Sequence, residues 1–322
     1  MWKYILKRVG LMLLTFFIIM FICFVMIRLL PDTAQAPQKE SEKQAWLARR
    51  EALGYNKPIM VQWGIYLKNV FTKWDFGTSW KIDYFTPAWN VIAERLLPTV
   101  LVNVYSLLIS IPIGLGLGIL AAVKKNKWQD HTISTLVMVF VSVPSYVYAF
   151  LVQYIFYFKL GWFDRPTILP LSETGGTYFS WKMFVSMLMP IMALSFGTIA
   201  GLARFTRAEL TETLTSDYML LARAKGLTRG QATVRHAMKN AMVPILPMLI
   251  GEFIGVLGGS MIIEEIFSIP GVGQLYIKSI HQLDYDVFMI DSIFYTFVGL
   301  LAGIVVDISY GFIDPRIRMG EK

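Results

Sequence analysis

Few side chains in this 322-residue chain are of the types that do covalent or metal chemistry, and their spacing argues against both. The three histidines, His131, His236 and His281, are scattered. His281 with Asp284 and Asp286 offers an imidazole and two carboxylates, a donor set that a divalent metal accepts. The group shows no helical ligand face, however, and reads better as a polar loop after the Pro270-Gly271 turn. No Gly-Lys dipeptide occurs, so the phosphate-cradling G-x-x-x-x-G-K-[ST] loop is absent, and with it that route to ATP hydrolysis. Cys23 is the single cysteine; it cannot form an internal disulfide and packs as a small hydrophobe in an apolar run. The sharpest anomaly is Glu252, alone in a run otherwise free of charge.

The elements that must position these groups follow from composition. The chain is 55% hydrophobic and only 16% charged, with a mean hydropathy of +0.53. Average soluble domains carry about 25% charged residues, so a soluble surface cannot be covered, and disorder is excluded by the same numbers. A bilayer core of ~30 Å needs about 20 apolar residues of helix. Four uncharged runs reach that scale: Val9 to Ile27, Leu96 to Val123, Thr132 to Phe158 and Met183 to Ala203. A fifth, between Lys239 and Glu264, is broken only by Glu252. A sixth, between Asp286 and Asp314, is broken by Asp291 and Asp307. The prediction is an all-α polytopic membrane protein with six transmembrane helices. The first run is too long for a signal-peptide core and no A-x-A-like site follows it. Leu29-Leu30-Pro31-Asp32 reads as a helix end met by proline, with Arg28 free to snorkel.

The charge excess of +8 then becomes a statement about orientation. With both termini cytoplasmic, the inside segments hold sixteen basic and six acidic groups, a balance of +10. The remainder holds fourteen and sixteen, a balance of −2. The excess therefore marks topology and not a nucleic-acid surface.

Three regions result: residues 1–30, an N-terminal segment and first span; 31–95, an extracytoplasmic segment; and 96–322, a five-helix core that includes a cytoplasmic hairpin at 204–242. In the second region Ile59, Trp63, Tyr66 and Val70 recur at helical spacing after Pro58. They predict an amphipathic helix, either lying at the membrane interface on Trp63, Tyr66 and Trp74 or packed on the spans as a cap. In the hairpin, Ser216 or Asp217 caps a first helix to Lys225. Gly226 takes the left-handed stop, and Thr228 with Gln231 forms a capping box for a second helix to about Asn240. A short structured hairpin with Leu220, Leu221, Ala222 and Ala224 on it reads as a docking element.

The prolines and glycines within the runs (Pro112, Gly114, Gly116, Gly118, Pro144, Pro190, Gly197, Pro244, Pro247, Gly251, Gly255, Gly258, Gly259) serve either a gate or ordinary close packing. A mid-membrane carboxylate costs about 2.5–3.5 kcal/mol on insertion scales. Glu252 therefore either lines a translocation path, or pairs with a cation of a partner or with backbone at Gly251 and Gly255. Asp307 reads as structural, near the inner interface, and Asp291 as a wet group near the outer end.

The stretch Asp217-Tyr218-Met219-Leu220-Leu221-Ala222-Arg223-Ala224-Lys225-Gly226-Leu227, followed by Arg235-His236-Ala237 and Asn240-Ala241, resembles the cytoplasmic coupling loop of ABC importer permeases. More narrowly it resembles the dipeptide/oligopeptide permease family. Other pieces agree in order: Arg28-Leu29-Leu30-Pro31, Asp75-Phe76-Gly77-Thr78-Ser79, Glu94-Arg95-Leu96-Leu97-Pro98-Thr99, Ala121-Ala122-Val123-Lys124, Ser142-Val143-Pro144-Ser145, Glu264 with Phe267-Ser268-Ile269-Pro270-Gly271-Val272-Gly273, and Asp307 with Asp314-Pro315-Arg316. The short N-terminus and long first outer segment are similar to the first, "B-type", subunit. The wider Glu-Ala-Ala pattern is replaced by Leu220, Leu221 and Ala222. Asp32-Thr33 follows Pro31 in place of a Gly-Asp-Pro turn, and Glu252 stands where a neutral or amide side chain is expected.

The resemblance implies a type I importer architecture. It also implies a second homologous permease, two cytoplasmic ATPases, an extracytoplasmic solute-binding protein, a peptide substrate and residence in a bacterial plasma membrane, with no cofactor bound by this chain and no nucleic acid. It places ATPase coupling on Asp217, Tyr218, Leu221, Ala222, Arg223, Ala224, Lys225 and Gly226, and the pathway on Glu252, Gly255, Gly259, Pro144 and Ser145. Nickel or another small solute is the alternative cargo within the family. A stand-alone secondary transporter or channel is the rival class, and it lacks the expected inverted repeat and set of intramembrane charges. A membrane-embedded enzyme would need clustered acids or histidines at one depth.

Overall fold

The computed structural model describes residues 2–30 and 37–313. Pro31-Asp32-Thr33 and Asp314-Pro315-Arg316 lie outside the described residues. Among those residues, regular structure is helical apart from one isolated bridge between Thr78 and Pro87. The helices are α1 (Trp2–Arg28), α2 (Glu40–Ala52), α3 (Ile59–Lys73), α4 (Ala88–Val123), α5 (Trp128–Ser142), α6 (Ser145–Val152), α7 (Trp181–Leu214), α8 (Asp217–Ala224), α9 (Arg229–Ala232), α10 (Met238–Gly255), α11 (Met261–Ile266), α12 (Val272–His281) and α13 (Tyr285–Ile313).

Five helices are long and apolar enough to cross a membrane: Ile5–Arg28, Ala88–Val123, Trp181–Leu214, Arg229–Gly255 and Tyr285–Gly311. The third run of the sequence is not a straight span. It divides into Trp128–Ser142 and Ser145–Lys159, bent by 100°, and makes a sixth crossing only if the pair is counted as one. The cause is Pro144: its ring crowds the preceding residue out of the helical region, and Val143 is extended at φ −92°, ψ 127°. The fifth run also differs from its expected extent. Its helix ends at Gly255, and a turn carrying Gly259 at φ +59° leads into the separate α11.

α4 and α7 form the centre of the bundle. Glycines set their spacing: a Cβ on Gly114 would stand 2.8 Å from Leu202 Cβ, and one on Gly118 would stand 2.7 Å from the Ala203 carbonyl. Close packing within one chain is thus what these two positions do. The Ser106 and Ser195 hydroxyls meet across the same interface at 3.1 Å. α1 lies against α13 and α3, and Arg8 pairs with Asp307 at 2.9 Å, giving Asp307 the structural role expected of it.

A cap covers the end where α4 begins. α3 is packed and not merely laid on an interface: Tyr66 is 5% exposed, and Trp63 meets Phe21, Phe24 and Tyr66 ring to ring. Trp74 alone of the three expected anchors is open, at 59% exposure. The Arg28 and Arg50 guanidiniums both stand over the Tyr55 ring, at 3.7 and 3.9 Å from its centroid, which joins the end of α1 to the α2–α3 turn.

Both carboxylate oxygens of Asp75 accept from one nitrogen of Arg49, Nη2, at 2.6 Å, and Oδ1 also accepts the Gly77 N–H at 3.0 Å. Burial alone would push the Asp75 carboxyl up, but Arg49 and the Gly77 N–H outweigh it and hold the group below the usual carboxylate range. The carboxylates once weighed as metal ligands are taken up by the chain's own donors. Asp284 Oδ2 accepts the Ser79 hydroxyl at 2.6 Å and the N–H groups of Trp80, Lys81 and Ile82 at 3.0–3.2 Å. Asp286 accepts the Thr78 N–H at 3.0 Å. Gly77, at φ +112°, is held so close to Asp286 that a Cβ there would run into its carboxylate.

Candidate functional site

The hairpin at the far end of α7 is built as the sequence spacing requires, with three differences. The Lys225 cap is followed by Gly226 at φ +91°. Leu227 N–H reaches the Ala222 carbonyl at 3.3 Å and Gly226 N–H that of Arg223 at 3.0 Å, the paired closure of a Schellman stop. A Cβ on Gly226 would meet nothing within 4 Å, so the requirement there is conformational and not steric. Both bonds of the Thr228–Gln231 capping box are formed.

The first difference is at the start: neither Ser216 nor Asp217 caps α8 through its side chain, and the Ser216 hydroxyl donates back to Thr213 at 2.6 Å. The second is the second arm, which does not stop near Asn240. It runs through a π turn at Thr233–Ala237 into α10, one continuous span from Arg229 to Gly255.

The third concerns which side chains face out. Ala222, expected to meet a partner, is 6% exposed. It belongs with Met219, Leu210, Ala122, Ala232, Ala237 and Ala241 to an apolar cluster that seats the hairpin on α4 and α7. The chain alone therefore uses Ala222. The outward face consists of Tyr218, Leu221 and the exposed Asp217, Arg223, Ala224, Lys225 and Gly226, together with Leu220, which the sequence places on the docking hairpin though not among the coupling residues the resemblance implies. Leu220 and Leu221 are 63% and 57% exposed. The signal for Leu220 was in the sequence: with 3.6 residues per turn, burying Met219 and Ala222 turns Leu220 away from the body.

Glu252 lies about 35 Å along the same continuous helix from Arg229, at 1.5 Å per residue. With Gly255 and Gly259 it lines a cavity of about 200 Å³ whose other walls include Asn103, Ser106 and Thr198. No hydrogen bond reaches its carboxylate among the described residues, so the backbone at Gly251 and Gly255 is not its partner. Asn103, Ser106 and Thr198 are polar groups inside the uncharged runs, and that oddity is the signal that finds them. Pro144 and Ser145 are not brought to this cavity; they are exposed at the α5–α6 bend.

Beyond Gly259 the surroundings change. Glu264 is 2% exposed. It accepts the Thr99 hydroxyl at 2.9 Å and the Gln274 N–H at 3.1 Å, and Thr99 in turn accepts the Val272 N–H at 2.9 Å. A Cβ on Gly259 or Gly271 would collide with the Glu264 carboxylate. The knot fastens the start of α4 to α11 and to the first turn of α12, whose free N–H groups favour an anion. Asp291, expected to be wet, is fully buried.

Comparisons with known proteins bear on the family and the fold. Residues 114–319 match the model of a family described as binding-protein-dependent transport system inner membrane component, and residues 1–101 match its N-terminal companion. The chain is 36% identical over 317 residues, 98% of it and 99% of the relative, to the dipeptide transport system permease protein DppB of Lactococcus lactis. It is 32% identical over 320 residues, 99% of both, to the glutathione transport system permease protein GsiC of Escherichia coli. In structure it is similar to a chain of the MetNI methionine ABC transporter in an inward-facing conformation. The TM-score is 0.51 at 18% identity, over 73% of this chain and 98% of that one, a likeness of fold.

Proposed function

The chain belongs to the family of binding-protein-dependent transport system inner membrane components, and from that premise we propose that it forms half of a pathway carrying di- or oligopeptides inward. As a permease of an ABC importer it is a membrane component and not an enzyme; ATP is hydrolysed by partner subunits, and a substrate-binding protein supplies the cargo. The proposal adds a second, homologous permease, two ATPases, and an orientation with both termini and the α8–α9 hairpin in the cytoplasm.

One observation carries the reading. The exposed Leu220-Leu221 face is the tip of an element whose second arm is continuous with the helix bearing Glu252. A partner seated on that face therefore pushes on a continuous helix that ends at a polar cavity in the membrane. The glycine stop at Gly226 fixes the angle of the tip. Peptide as cargo is supported by the named substrates of the relatives, a dipeptide and glutathione. An unbonded carboxylate in the cavity, suited to a peptide ammonium, agrees with it.

The test is reconstitution in vesicles with the partner permease, ATPases and binding protein. ATP-dependent accumulation of labelled dipeptide is expected, along with cross-linking of Leu221→Cys to the ATPase subunit. Accumulation without ATP, or a hairpin inaccessible from the ATPase side, overturns the reading.

A further inference from the structure

Asp130, in the first turn of α5, is 1% exposed and is wrapped from several directions. Arg207 of α7 donates to it through both arms of its fork, Nε to Oδ1 at 2.5 Å and Nη2 to Oδ2 at 2.9 Å. The Asn126 N–H adds a bond at 2.9 Å and the Ser134 hydroxyl one at 3.3 Å. Asn126 is left-handed at φ +62°, so the α4–α5 turn itself is folded around the carboxylate. A bidentate, charge-assisted pair fixes direction as well as distance, and burial of Asp130 separates it from exposed pairs, which contribute about 0–1 kcal/mol.

Its position is what gives it meaning. Thr206, beside Arg207, fills the space left by Gly118 on α4. Leu210, a turn further on, sits in the apolar cluster that seats α8 and the second arm of the hairpin. The hairpin, the end of α7 and the end of α4 are therefore one packed block. α5, an uninterrupted helix of 15 residues, is held to this block at Asp130 and runs on to the extended Val143 and the 100° bend.

We propose that Asp130 and Arg207 are positioning residues that carry displacement of the hairpin into α5 and so to the hinge at Val143-Pro144. This rests on the hairpin being where the ATPase docks. The competing route is the apolar contact of Val137 with Ala200 and Ala203 further up α5 and α7, which moves α5 without any charge.

The experiment uses the complete transporter in vesicles, in a Cys23→Ser background. Spin labels go on Val234→Cys in the hairpin arm and Phe150→Cys on α6, both exposed, and uptake and ATP hydrolysis are read together. Asp130→Asn keeps shape and removes charge; Arg207→Lys keeps charge and removes the fork. Either change is expected to leave stimulated hydrolysis intact, to lower peptide accumulated per ATP by roughly 3- to 30-fold, and to stop the nucleotide-dependent shift at position 150 while that at 234 persists. The reversed pair, Asp130→Arg with Arg207→Asp, is expected to restore part of the yield. If Asp130→Asn fails to assemble, Arg207→Lys gives the same readouts. Normal yield and a normal shift at 150 in the single variants overturn the strut and leave the docking reading standing. A label at 234 that ignores nucleotide in the unaltered transporter overturns the docking reading and the strut together.

Discussion

Glu252 and Glu264 stand twelve residues apart in the same apolar, glycine-containing stretch, and the protein treats them in opposite ways. Glu264 is sealed in, and donors from α4 and α12 are folded around it. Gly259 and Gly271 are glycines because the carboxylate occupies the space a side chain would need. Glu252 has no such nest: Gly255, beside it, has nothing within 4 Å of where a Cβ would be, and the cavity is open there. Both carboxylates carry a desolvation cost, and the two sites differ in what offsets it. Where donors are built in, the charge holds the fold. Where they are missing, the proposed pathway assigns the charge to something that arrives from outside the chain.

The largest effect that tests this contrast is expected from Glu264→Ala. Removing the acceptor strands buried donors at about 1–3 kcal/mol each. Loss of folded protein in detergent, measured by thermal unfolding and size exclusion, is the expected result; an intact, equally stable variant contradicts the structural role. Gly271→Ala is expected to cost about 1–3 kcal/mol through overpacking against the same carboxylate, and Gly255→Ala next to nothing in the same assay.

Glu252→Gln reverses the pattern. Stability is expected to be unchanged, while peptide uptake falls about tenfold, the worth of one hydrogen bond to a charged group. Equal kinetics for every peptide tested would return Glu252 to a pairing role with the partner permease. Gly226→Val adds a local strain of about 1–2 kcal/mol at a left-handed position. It is expected to leave assembly intact and to abolish substrate-stimulated ATP hydrolysis; normal stimulation contradicts the coupling role.

The smallest effect is a matter of pH in the cap. Asp75 is held below its ordinary value, so its contribution to stability is present above about pH 4, where the unfolded group is also ionised. It fades as pH falls through the depressed value. Arg49→Ala is expected to remove that acid sensitivity, followed as proteolysis of the α2–α3 region between neutral pH and pH 3.

Much of this was readable in the sequence. Run lengths located the spans, Gly226 and Thr228 located the hairpin turn, and the order of short motifs located the family. Three things were not legible. The bend at Val143 depends on a proline that other helices absorb: Pro190, Pro244 and Pro247 lie inside α7 and α10 without ending them. The inward face of Ala222 depends on an alanine cluster drawn from four elements. The donors of Asp284 come from residues about 200 positions away, a distance at which local pattern carries no information. The site showed the same limit: Glu252 stood out as a lone charge, whereas Asn103 and Thr198 joined it only through the packing of α10 against α4 and α7.

The loop from Gly77 to Pro87 takes its anchoring carboxylates from Asp284 and Asp286, separated from it by 202 to 208 positions. Chains are synthesised at ~5–20 residues per second, so roughly 10 to 40 s pass between emergence of the donors and emergence of their acceptors. During that interval five backbone or hydroxyl donors lack the acceptors they hold in the folded chain. The anchoring of the cap is consequently a late event that waits for the start of α13, and a chain cut short before Asp284 lacks both of the carboxylates that hold this loop.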